Sequence, residues 1–179
     1  MRRRTSTTRI EPGGPVPVAL ALGGNVGPVA RTLARALRQL EASLGPLRVA
    51  SLYRSLPVSP VPQPDFLNTA ALACTALGPA EVLALAKALE WAAGRRRGVR
   101  FGPRPLDIDL LLYGGLQSHG PELTLPHPRL AERRFMLEPL AEIAPGLTVP
   151  PEGATVAELL ARVQDQPGLE RVGSLDFRL

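Results

Sequence analysis

The stretch Glu90–Tyr113, EWAAGRRRGVRFGPRPLDIDLLLY, holds the end of one element, a charged loop and the start of another. Before it, Pro79 to Ala93 has helical spacing through Val82, Leu85 and Leu89 and stops at Gly94. After the arginine-rich loop, Leu106 to Tyr113 reads as a strand. A helix leading back into a strand is half of a larger unit, and the elements on either side decide which unit it is.

Towards the N-terminus, the short apolar run Val16 to Leu22 ends in Gly23-Gly24-Asn25-Val26-Gly27, a strand entering a tight turn, and Pro28 suits the first position of a helix. From Val29, Leu33, Leu37, Leu40 and Leu44 recur at helical spacing with Arg31, Arg35 and Arg38 opposite, until Gly45-Pro46. Val49 to Leu56 alternates, the proline-rich Pro57 to Pro64 is expected to be an exposed loop, and Phe66 to Leu77 is again extended. Beyond Tyr113, Gly114-Gly115 turns the chain and Leu123 to Leu125 forms a short strand. Pro128 to Ile143 carries helical turns, and Thr155 to Glu158 matches a capping box for a last helix. The order strand, helix, strand, strand, helix, strand predicts the α+β class: a ferredoxin-like α/β sandwich, an antiparallel sheet with helices packed on its faces.

A chain of 179 residues suits one compact domain. Residues 1–15 are expected to form a flexible basic leader and 16–179 a single domain. No run approaches the roughly 20 apolar residues of a membrane span, and Arg2 to Arg4 precede no signal-like stretch, so a cytoplasmic protein without a membrane partner is expected. The single cysteine, Cys74, rules out an internal disulfide or a cysteine-based metal site and is expected to be buried in its apolar run. A net charge of +5 and a pI near 10.6 point to an anionic partner and leave open whether it is nucleic acid, nucleotide or membrane. The positive charge comes from 20 arginines and one lysine, Lys87. Arginine's planar fork pairs bidentately with phosphate, although a GC-rich genome would also replace lysine by arginine.

Two carboxylates, Asp107 and Asp109, interrupt an otherwise apolar strand. Alternation puts both on one face, their Cα atoms roughly 6.5 to 7 Å apart, where hard oxygen ligands can share Mg²⁺ ions. Anions on a buried strand need cationic compensation, and Arg95, Arg97, Arg100 and Arg104 lie just upstream. An ion-pair network that merely ties loop to sheet is the plainer reading, but the excess of arginine suits a polyphosphate. There is no G-x-x-x-x-G-K-[ST] and no dinucleotide fingerprint, and the glycine turn after Leu22 serves chiefly to turn the chain. His127 and Arg133 stand near the start of the third helical segment. Phe66 and Phe135, with Asn68 nearby, are either core residues or a clamp on a flat heterocycle.

In this order, the blocks Ala21-Leu22-Gly23-Gly24-Asn25, Ser51-Leu52-Tyr53-Arg54-Ser55, Gln63-Pro64-Asp65-Phe66-Leu67-Asn68, Gly102-Pro103-Arg104 with Leu106 to Asp109, and Pro126-His127-Pro128 with Arg133 to Leu137 closely resemble the 6-hydroxymethyl-7,8-dihydropterin pyrophosphokinase family. The resemblance implies transfer of pyrophosphate from ATP to the pterin's hydroxymethyl group in folate biosynthesis, releasing AMP and requiring two Mg²⁺ ions. It implies that Asp107 and Asp109 bind the metal and that Arg95 and Arg104 hold the phosphates and neutralise charge. Glu90, Arg97, Arg100, His127 and Arg133 are then expected at the ATP site. Phe66 and Phe135 would sandwich the pterin, with Asn68, Ser55, Pro57 and Val58 at its edge. Phe101 stands where the family often has tryptophan. A monomer with ATP and the pterin as its partners is expected.

Two other readings bear on the same residues. A noncatalytic nucleic-acid-binding module would use the charge but gives no reason for carboxylates in a basic site, and the aromatic pattern of an RNA-binding sheet is missing. A nucleotidyltransferase also uses paired aspartates and Mg²⁺, but releases pyrophosphate rather than AMP.

Overall fold

In the computed structural model, which describes residues 14–59, 61–96 and 102–178, the first apolar run forms β1 (Val16–Gly24) and the leucine stripe forms α1 (Val29–Leu44). Leu33, Leu37, Leu40 and Leu44 are buried, while Arg31, Arg35 and Arg38 face solvent. The alternating segment splits into β2 (Arg48–Val49) and β3 (Leu52–Ser55), followed by β4 (Phe66–Thr75), α2 (Pro79–Ala92) and β5 (Asp107–Tyr113). A hairpin of β6 (Ser118–His119) and β7 (Thr124–Leu125) comes next, then a 3₁₀ turn at Leu130–Glu132 and α3 (Arg134–Ile143). Last are β8 (Thr148–Val149), β9 (Ala154–Thr155), α4 (Val156–Arg162) and β10 (Glu170–Gly173). The predicted capping box holds: Thr155 Oγ1 accepts from Glu158 N at 3.2 Å, and Thr155 N donates to Glu158 Oε2 at 2.7 Å.

The main sheet runs β10-β3-β4-β1-β5 with every pairing antiparallel, and β2 pairs with β4. Within it, β3-β4-β1-β5 with α1 and α2 is the predicted ferredoxin-like unit. One face, with Val18, Leu20, Leu22, Ile108 and Leu110, packs against the buried stripe of α1 and Val82 and Ala86 of α2. The opposite face, with Ala19, Ala70 and Leu111, is covered by Met136, Leu137 and Leu140 of α3 and by Val156 of α4. α3 and α4 cover only part of that second face, and the rest of it is where the site lies.

One sequence expectation is corrected, and one strand is added to those expected. Cys74 is exposed, not buried: it shares the parity of Ala70 and Leu72 on β4 but lies near the strand's end, beyond the cover of the helices on that face. The edge strand β10 had no counterpart in the sequence pattern, because all four of its residues are exposed and it is held by backbone pairing to β3. The expected leader falls almost wholly outside the described residues. No helix among those described is long and apolar enough to cross a membrane.

Candidate active site

The second face of the sheet changes character along its length. On β5 the same side carries Asp107, Asp109 and then the fully buried Leu111, so the strand passes from site to core without a bend. On β1 that side carries Ala21 and Gly23, whose small size leaves a floor for a cleft of about 250 Å³. The approach of neighbouring chain requires the glycines: a Cβ on Gly23 would sit 2.8 Å from Asn68 Oδ1, and one on Gly24 only 2.5 Å from the Pro105 carbonyl oxygen. The glycine turn is therefore structural and also part of the site, since Gly23 lines the cleft.

Next to the glycines, Asn25 is buried and joins both flanking loops. Its Nδ2 donates to Gln63 Oε1 (3.0 Å) and to the Pro64 carbonyl (2.9 Å), and its Oδ1 accepts from Arg104 N (2.8 Å). Its own N–H donates to the Arg104 carbonyl at 2.9 Å.

At one end of the cleft the charges concentrate. Arg95 Nη1 bonds Asp107 Oδ1 and lies 2.6 Å from Glu90 Oε1, while Arg104 Nη1 donates to Asp107 Oδ2 at 2.7 Å. Burial alone would raise the pKa of Asp107, but the Arg104 and Arg95 guanidiniums outweigh it and hold the carboxyl below its usual range. Asp109 makes no such pair among the described residues. Burial, and then the charge of Asp107, push it up to about 6. Two close carboxylates of which one resists ionising are a place where a cation binds well. Among the described residues no group of three metal-ligating side chains occurs. That suits Mg²⁺, which is commonly held by one or two carboxylates together with water and substrate phosphates.

His127 Nε2 lies 4.0 Å from Asp109 Oδ2, and its Nδ1 accepts the N–H of Arg129 at 3.2 Å, which leaves the ring proton on Nε2. Burial, then the charge of Arg133, bring its pKa down to about 4, so at neutral pH it is an uncharged donor facing Asp109. The backbone N–H of His127 donates to the Leu111 carbonyl at 2.9 Å, which fixes the residue to β5.

Apolar side chains also line the cleft: Phe66 at the start of β4, Phe135 in the first turn of α3, Leu56, Val58 and Met136. Asn68 Nδ2 donates to Ser55 Oγ at 2.9 Å, and both residues line the cleft. Arg133 stands 5.5 Å from the Phe135 ring centroid.

The cleft thus gathers Arg95, Arg104, Asp107, Asp109, His127, Arg133, Ser55, Val58, Phe66, Asn68 and Phe135. Pro57 is not among its lining residues. Nor is Glu90: it is 3% exposed and sits behind the wall, accepting Ile108 N–H at 2.8 Å and Lys87 Nζ at 3.0 Å while gripping Arg95. Arg97, Arg100 and Phe101 lie outside the described residues. Lys87, which lines the cleft, was missed as a site residue, although being the single lysine among 20 arginines set it apart. Asn25 and Gln63 were quoted in the resembling blocks without a role, since their contact spans 38 residues.

Paired carboxylates, guanidiniums beside them and two phenylalanines lining one cleft are the side chains that a phosphotransferase acting on an aromatic substrate calls for. Residues 19–145 match the sequence model of the 7,8-dihydro-6-hydroxymethylpterin-pyrophosphokinase family, and the chain belongs to that family. It is 41% identical over 165 residues to the 2-amino-4-hydroxy-6-hydroxymethyldihydropteridine pyrophosphokinase of Synechocystis, covering 88% of this chain and 84% of that one. It is 44% identical over 156 residues to the protein of the same name from Methylorubrum extorquens, covering 86% and 96%. The mitochondrial folate synthesis bifunctional protein of Arabidopsis thaliana is 42% identical over 127 residues, 70% of this chain but 23% of that longer one. Among solved structures, the wild-type HPPK-DHPS of Plasmodium falciparum with SDX-DHP superposes with a TM-score of 0.62 over 82% of this chain and 43% of that one, at 15% identity, a likeness of fold alone.

Proposed function

We propose that this chain transfers the pyrophosphoryl group of ATP to the hydroxymethyl group of 6-hydroxymethyl-7,8-dihydropterin, releasing AMP, as a step of folate synthesis. The observation that carries this reading is a single cleft lined both by Asp107, Asp109, Arg95 and Arg104 and by Phe66 and Phe135. Family membership supports it.

In this reading the pterin lies between Phe66 and Phe135, with Ser55, Asn68 and the backbone near Pro57 and Val58 at its polar edge. Buried donors and acceptors there would reject rings lacking the matching groups. Asp107 and Asp109 would hold two Mg²⁺ ions, which when bound would lower the pKa of the substrate hydroxyl and offset charge on the phosphates. Arg95 and Arg104 neutralise the triphosphate, and His127, Arg133 and Lys87 contact it as well; the resemblance assigns Arg97 and Arg100 to the same site. Glu90 acts through Arg95. The alcohol oxygen attacks the β-phosphorus in line, the bond from that phosphorus to the oxygen of AMP breaks, and the hydroxyl proton passes to water. Positioning and charge neutralisation supply most of the acceleration. We further propose that residues 16–179 work as one monomeric domain in the cytoplasm, where ATP is made.

The test is to incubate the protein with ATP, Mg²⁺ and the pterin alcohol and to identify the nucleotide product. Pterin-dependent AMP is expected. ATP left intact would overturn the proposal, and release of pyrophosphate would mark a nucleotidyltransferase instead.

A further inference from the structure

We propose that Gln166, on the segment between α4 and β10, is a positioning residue for the aromatic slot: it holds the first turn of α3, and with it the Phe135 ring, against the cleft. This rests on the reading of Phe135 as one wall of the pterin site.

α3 begins without a cap of its own, since Arg133 at its N-cap makes no side-chain capping bond. The first N–H groups of a helix have no acceptor within it, so that of Phe135 must find one elsewhere. Gln166 Oε1 accepts it at 3.2 Å, from 31 residues further along the chain. Four residues after Phe135 stands Pro139, which has no N–H to offer the Phe135 carbonyl. The backbone carrying the ring thus lacks the usual helical hold, and the bond from Gln166 makes up for it.

Gln166 does not line the cleft. It borders a second hollow of about 210 Å³, and Val58, Arg133 and Phe135 line both spaces. The segment is pinned at both walls of the slot. On the α3 side, Arg134 Nε lies 3.5 Å from Asp165 Oδ1. On the β3 side, Gly168, at φ +77°, fits so closely that a Cβ there would stand 2.7 Å from Leu56 Cγ. Further on, Glu170 pairs with Arg54, and Arg171 Nε donates to Ser51 Oγ at 2.8 Å. This whole segment lies beyond residues 19–145, the part that matches the family's sequence model.

The test measures KM for the pterin and for ATP separately, together with Tm, in Gln166→Met, Gln166→Ala, Gln166→Glu and Phe135→Ala. Met and Ala remove the acceptor, Met at nearly unchanged length; Glu keeps an acceptor oxygen. Loss of one positioning bond is expected to raise pterin KM about 3- to 10-fold in the Met and Ala variants, with ATP KM within about twofold of wild type. Tm is expected to change little, and Gln166→Glu to behave as wild type. Unchanged pterin KM in Gln166→Met, a parallel rise in both KM values with a fall in Tm, or failure of Gln166→Glu to restore binding would each overturn the proposal. If Phe135→Ala raises pterin KM while Gln166→Met does not, the role of Gln166 alone falls. If Phe135→Ala has no effect, the reading of Phe135 falls with it.

Discussion

Asp107 and Asp109 are the same residue type on the same side of one strand, yet their surroundings oppose each other. Asp107 is gripped by two guanidiniums and stays ionised; Asp109 has an uncharged imidazole nearby and a carboxylate as its close neighbour. Removing a metal ligand strikes the transition state more than the core, so Asp107→Ala or Asp109→Ala is expected to lower kcat by about a thousandfold or more. Asp109→Asn relieves repulsion at constant shape, and its Tm, measured by calorimetry, is expected to equal or exceed that of wild type while activity falls. Wild-type turnover in these variants would remove the proposed metal site. Strand alternation made this pair legible in the sequence, because period two needs only local information. Lys87 was not legible as a site residue, because whether a helix side chain faces solvent or cleft depends on how α2 lies against β5.

Among the elements, α3, β3 and β10 meet at one carboxylate. Glu142 accepts from Ser51 N at 3.1 Å, Ser51 Oγ at 2.8 Å and Tyr53 OH at 3.0 Å, and Arg171 Nη2 lies 3.8 Å away. Partial burial alone would raise its pKa, but these donors outweigh that and leave it below the ordinary 4.5. A depressed folded-state pKa contributes stability that is fully present above the unfolded value and is lost as pH falls through the folded one. Below about pH 4.5 wild type is therefore expected to lose Tm more steeply than Glu142→Gln, with the gap closing as acid protonates the folded carboxyl; parallel curves would contradict this. α1, α2 and α4 were readable from leucine spacing, a glycine stop and a capping box, all written within one turn or a few. β10 was not: its residues are exposed, and its partner strand lies more than a hundred residues earlier.

At the scale of the molecule, one sheet separates two apolar layers, and part of its second face is given over to chemistry. Ala21, Gly23, Asn68, Asp107 and Asp109 occupy the plane in which Ala19, Ala70 and Leu111 are core. The ferredoxin-like order was readable from the chain, but the uneven cover of that face was not, since it depends on where α3 docks. The same plan leaves β5 at the sheet's rim with only β1 beside it. A long apolar rim strand offers unpaired backbone groups to any similar strand it meets. Here two of those groups are already taken: Glu90 Oε1 receives the N–H of Ile108, and the Leu111 carbonyl receives that of His127. Glu90 therefore occupies a rim N–H as well as anchoring Arg95. Glu90→Ala is expected to self-associate in light scattering and sedimentation, whereas Glu90→Gln, which keeps an acceptor, and Arg95→Ala, which keeps Glu90, are expected to remain dispersed. If Arg95→Ala clusters as readily as Glu90→Ala, the protection belongs to the ion pair and not to the covered N–H. On this account the cleft and the colloidal behaviour of the protein depend on the same buried carboxylate.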